Sequence, residues 1–187
     1  IPMGEMHTEP YPNRVVTGLD WASFSCCEPK ETTLWAGAAQ NDTTKGTDVG
    51  TITIWNDETN LYVKYSLTEG CMIMETHLYA GTAPPAKAAP GQFPYSDELS
   101  GETEKTYTIP LTDLISGDVC DTSLYISAHA VVSCPELYET AWGYGENDFS
   151  YFEISKKWGW IINYDICCGD EGGETGGVWV LGLPILD

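Results

Sequence analysis

Apolar and polar residues alternate with a period of two along most of this chain, and helical periodicity is hard to find. Thr51-Ile52-Thr53-Ile54-Trp55 and Leu61-Tyr62-Val63-Lys64-Tyr65-Ser66-Leu67 read as half-buried strands. The polar stretch Asn56-Asp57-Glu58-Thr59-Asn60 between them makes the pair a hairpin. Five more strands are predicted at Cys71 to Ala80, Thr106 to Leu111, Leu124 to Ser133, Trp158 to Ile166 and Val178 to Leu186, all rich in aromatic and β-branched side chains. Short strands punctuated by Gly and Pro predict an all-β fold: one domain over residues 1–187, an antiparallel β-sandwich of jelly-roll or immunoglobulin-like topology. Gly81 to Gly101, with four prolines, reads as a long ordered loop without regular structure.

Alternation also assigns faces. In Cys71 to Ala80, Met72, Met74, Leu78 and Ala80 point one way, and Glu75 and His77 the other. In Leu124 to Ser133 the apolar set Leu124, Ile126, Ala128, Ala130 and Val132 leaves His129 on the polar side. If these strands are neighbours, Glu75, His77 and His129 converge, and Glu139 in the following loop joins them as a mixed nitrogen and oxygen metal site. The alternative is that each histidine hydrogen-bonds a nearby carboxylate or Tyr and orders a loop.

Further groups invite the same comparison. Asp48 and Asp57, with Asp42, Glu58, Asp170 and Glu171, sit in acidic turns that suit an irregular calcium site or an ordinary solvated surface. Tyr138 to Trp160 is dense in aromatics; Trp142, with Tyr144 and Tyr95, is a candidate sugar-stacking platform, and core packing is the competing account. Val178 to Leu186 is apolar on both faces and follows an acidic, glycine-rich linker. It and residues 1–16 are candidate exchange strands, which either complete their own domain or cross to a neighbouring copy.

Several phrases are distinctive in combination. They are Asp48-Val49-Gly50-Thr51-Ile52-Thr53-Ile54, Asn60-Leu61-Tyr62-Val63, Glu75-Thr76-His77-Leu78-Tyr79, Pro90-Gly91-Gln92-Phe93-Pro94-Tyr95, Tyr125 to Val132 and Glu139-Thr140-Ala141-Trp142-Gly143. Over Ala36 to Tyr164 the chain resembles a poorly characterised β-rich domain of secreted and cell-surface microbial proteins. The resemblance implies extracellular placement and a β fold, and brings no established activity.

Composition narrows the classes. With 42% apolar residues, seven Trp and eleven Tyr, the chain is not a disordered one. A formal charge of -20 excludes nucleic acid and anionic membrane as partners and favours cations, calcium among them. Seven cysteines point to an oxidising compartment. The adjacent pairs Cys26-Cys27 and Cys167-Cys168 are placed to pin the two ends together, Cys120 and Cys134 are the other disulfide candidates, and the odd count leaves one thiol free or bonded between chains. No apolar run reaches the roughly 20 residues of a membrane span, so no membrane insertion is expected. A chain that opens on Ile1 is expected to have lost a signal peptide and to be secreted. Asn41-Asp42-Thr43 is an N-glycosylation sequon.

The catalytic motifs G-x-S-x-G, H-E-x-x-H, the P-loop and the dinucleotide fingerprint do not occur, so a non-enzyme is expected. The leading expectation is an extracellular structural or surface-assembly subunit, a filament or matrix component that binds copies of itself by β-strand addition and is stabilised by calcium. A carbohydrate-binding module that takes glycans is the second reading, and a metal-dependent enzyme centred on His77 and His129 the third.

Overall fold

The computed structural model describes residues 28–168. They form ten strands: β1 (Lys30–Ala36), β2 (Thr47–Asn56), β3 (Asn60–Leu67), β4 (Met72–Gly81), β5 (Tyr95–Glu102), β6 (Glu104–Pro110), β7 (Ser123–Cys134), β8 (Leu137–Gly143), β9 (Asn147–Asp148) and β10 (Trp160–Asp165). One short α-helix, α1 (Leu111–Leu114), follows β6. The strands join in one antiparallel sheet of order β5-β4-β7-β8-β1-β2-β3-β6. β10 pairs with the first part of β7, and β8 with the remainder.

β5 and β6 stand at opposite ends of this path, yet Thr103 alone separates them in sequence. The sheet therefore curls back on itself and is nearly barrel-shaped. Side chains bridge the seam: Lys105 pairs with Asp97, and the Tyr107 hydroxyl lies 2.7 Å from Thr76 Oγ1. The predicted all-β, antiparallel, disulfide-bonded class is the one found. The exchange-strand candidates 1–16 and 178–187, with Cys26 and Cys27, lie outside the described residues.

Alternation generates the core. Ile52 and Ile54 of β2, Leu61, Val63 and Tyr65 of β3, and Leu124, Ile126, Ala128, Ala130 and Val132 of β7 all turn inward and are buried. β4 breaks its own period. The register slips between Ile73 and Glu75, so Ile73 enters the core while Met72 is left on the surface. The predicted Met72 face is thus wrong at its start and right from Leu78 onward. The prolines of the predicted loop end at Pro94, and β5 takes its last third, as an edge strand whose outward positions are polar.

Two disulfides fix the ends of strands. Cys71–Cys134 ties the entry of β4 to the end of β7, and Cys120–Cys168 ties the approach to β7 to the segment after β10. Cys71, the one cysteine outside the predicted set, is thus bonded. Cys168 goes to Cys120, so that half of the Cys167-Cys168 pair does not pin the chain ends to Cys26-Cys27.

The β2–β3 turn is built on Asp57. Its carboxylate accepts from the amides of Thr59 (2.8 Å) and Asn60 (2.7 Å) and from the hydroxyls of Thr59 (3.0 Å) and Tyr62 (2.6 Å). Partial burial pushes its pKa up, but the Tyr62 hydroxyl and these amides outweigh it and pull the carboxyl down to about 2. Asp57→Ala is expected to lower the unfolding free energy by about 2 kcal/mol, measured by urea denaturation, because the turn loses its acceptor. A change below about 0.5 kcal/mol would mean that the turn holds itself without Asp57.

Candidate functional site

The outer face of the sheet carries a second buried cluster. Across neighbouring strands His77 of β4 stands opposite His129 of β7, His129 opposite Trp142 of β8, and Trp142 opposite Trp35 of β1. Partner residues across a ladder share a face, so this row is a direct product of strand register. The predicted adjacency of the two histidine strands is therefore present.

The row is covered rather than open. Phe93 arrives from the proline-bearing loop, Ala38 from the β1–β2 connection, Phe149 and Trp158 from the segment between β9 and β10, and Trp160 from the start of β10. Trp142 is the hub, with ring centroids 4.7 Å from His129, 5.2 Å from Phe149 and 6.1 Å from Phe93, each near a T-shaped arrangement. His77 and His129 are 8% and 5% exposed.

Three polar side chains run as a chain beneath this cover. His77 Nε2 lies 3.0 Å from a Glu75 carboxylate oxygen, and His77 Nδ1 lies 3.3 Å from His129 Nδ1. With His77 Nε2–H given to Glu75, the contact between the two Nδ1 atoms needs one ring to donate and the other to accept. Burial, reinforced by the facing His77, pulls the His129 pKa down to about 3. The arrangement orients two buried imidazoles and connects them to the surface through Glu75, which is partly exposed.

The remaining predicted residues scatter. Glu139 pairs with Val132, three rungs from the Trp142–His129 pair, so its side chain takes the opposite face and does not join Glu75, His77 and His129. Asp48, opposite Trp35 across the β1–β2 ladder, accepts from the amide of Gly50 at 3.1 Å, and Asp57 is committed to its turn. Among the described residues no group of three or more His, Cys, Asp or Glu side chains is arranged to hold a metal ion. The glycan platform does not assemble either. Trp142 is 4% exposed, Tyr95 packs toward the barrel core, and only Tyr144 is exposed, tilted against Trp160 at 5.3 Å. The predicted single face of Trp158, Trp160, Ile162 and Tyr164 is split, the two tryptophans lying in the outer cluster and the other two in the barrel core.

Sequence reasoning placed Phe149 among aromatics suited to core packing but missed Phe93 and Trp35 as parts of this cluster. Trp35 carried one usable signal, its place in the alternating stretch of β1, whereas Phe93 and Phe149 come from irregular segments where no period exists. No family model, curated protein or solved structure matches the chain. Among the described residues no helix is long and apolar enough to cross a membrane.

Proposed function

We propose that the protein is an extracellular structural or surface-assembly subunit, which joins copies of itself by β-strand addition in a calcium-dependent way. We read its curled sheet as a sandwich of jelly-roll or immunoglobulin-like kind, closed along one side by β8. The reading rests on one observation: among the described residues, β5 and β6 form ladders on one side only. Along their seam the core residues Tyr95, Leu99 and Tyr107 are only partly buried, so added apolar chain there would complete their cover.

These edges are also defended. Asp97, Glu98, Glu102 and Glu104 crowd the seam, the register is irregular near the end of β5, and the Glu102 carboxylate accepts a hydrogen bond from the amide of Ser100 at 2.7 Å. Carboxylates on an edge repel a second acidic chain, and divalent cations reduce that repulsion. Two disulfides agree with an oxidising, extracellular setting. The apolar strand-patterned segment Val178 to Leu186 is the donor suggested by sequence.

Native mass spectrometry of the full chain tests this. In calcium, dimers and longer series are expected, which fall to monomers on chelation or when residues 178–187 are deleted. A monomer at high concentration in calcium would end the proposal.

A further inference from the structure

We infer that Asn41 is a structural latch, and that its sequon is closed: a folded chain and a glycan at Asn41 exclude each other. The observations are independent of the assembly reading. Asn41 has a left-handed backbone, φ 59°, and both ends of its side-chain amide are in use. Its Nδ2 donates to Asp148 Oδ2 at 3.2 Å, and its Oδ1 accepts from the amide of Gly159 at 2.7 Å. Asp148 is itself fixed, its other oxygen accepting from the Ser150 hydroxyl (2.6 Å) and the Tyr151 amide (2.9 Å).

This pair of bonds bridges more than a hundred residues and spans the aromatic cover. Asp148 begins the segment that carries Phe149 and Trp158, and Gly159 ends it. Gly159 is pressed so closely on the cluster that a β-carbon there would lie 2.5 Å from Phe149 and 2.9 Å from Trp142, at a φ of 139°. Asn41 thereby holds both ends of the cover against the β1–β2 connection.

N-glycosylation acts on the same nitrogen. Transfer from a lipid-linked oligosaccharide replaces one Nδ2–H with a bond to the sugar's anomeric carbon and releases the lipid pyrophosphate. The sugar would then occupy space beside Nδ2 that the folded chain gives to Asp148 and the cover segment. A chain modified before folding must fit a sugar on the nitrogen that bonds Asp148, and a chain that has folded presents that nitrogen already bonded to Asp148.

The test is expression of the full chain in a eukaryotic secretory host, with three forms compared by intact mass, endoglycosidase sensitivity and thermal melting. The secreted wild type is expected without a glycan at Asn41. Thr43→Ala abolishes the sequon but spares the latch, and should melt at the wild-type temperature. Asn41→Asp keeps the shape but sets a second carboxylate against Asp148, and should lower the folded-to-unfolded ratio at least about tenfold. A secreted, folded wild type that carries the glycan would overturn the exclusion. An Asn41→Asp variant as stable as wild type would overturn the latch.

Discussion

Trp142→Ala is expected to lower the unfolding free energy by about 4 kcal/mol, a large fraction of the whole stability of a domain this size. The reason lies in where the ring sits. Trp142 touches His129, Phe149, Phe93 and Trp158, so its removal leaves a cavity walled by four rings that belong to three different segments. Collapse into that cavity is blocked on one side by the rigid β4–β7 ladder and on the other by Gly159, which already lies against the indole. The cover should loosen while the barrel core, on the other face of the same strands, persists. Urea denaturation followed by near-ultraviolet and far-ultraviolet circular dichroism reads both effects. Trp142→Phe should recover about half of the loss. A cost for Trp142→Ala below about 1 kcal/mol would mean that the outer cluster is not a second core.

Acid should act on the same place. The folded pKa of His129 is about 3, below the 6.5 of a free imidazole, so the unfolded chain binds this proton more readily than the folded one. The stability associated with a neutral His129 is fully present above pH 6.5 and is lost as pH falls toward 3. By pH 4.5 the loss amounts to about 3 kcal/mol. Asp57 and Asp148, whose carboxyls are held low by hydrogen bonds, add their own losses only at lower pH. His129→Phe removes the buried base, so the difference between wild-type and variant stability profiles isolates it. That difference should fall between pH 6.5 and 4.5 and be level above 6.5. Parallel profiles through this window would mean that His129 is not the titrating group.

How much of this was legible depended on periodicity. β2, β3, β7 and the placement of His77 and His129 off the apolar face followed from strict alternation, because a period of two fixes both the strand and its faces, whereas the pairing of β4 with β7 did not. β1 and β5 did not, because Lys30-Glu31-Thr32-Thr33 and Ser96 to Glu102 hold too few apolar residues to reveal an inward face. At Met74 the alternation itself misled, since an irregular register reverses the phase without leaving a glycine or proline as a mark. Glu139 is the converse error. It is close to Trp142 in sequence but three rungs away in the ladder, and three is odd. The latch at Asn41 was hidden for another reason: its partners, Asp148 and Gly159, are distant in sequence and belong to no periodic pattern.

The Cys120–Cys168 link also determines how the molecule carries tension. Any pull applied between residue 28 and residue 168 passes through the sulfur bridge instead of along the backbone from 120 to 168. Within that closed loop lie β7, β8, β10, His129 and Trp142; Cys71–Cys134 leads the pull from residue 71 into the loop and back along β7 to residue 120, so β7 with His129 carries load while β8, β10 and Trp142 lie off the path. Outside the loop the stretch from 28 to 71 can be drawn out to its full length, whereas that from 71 to 120 is held by the Cys71–Cys134 bridge and β7. In a subunit strung between neighbours, the hub of the aromatic cover would be mechanically silent, and a reducing agent would lengthen the extensible contour by the residues now locked away.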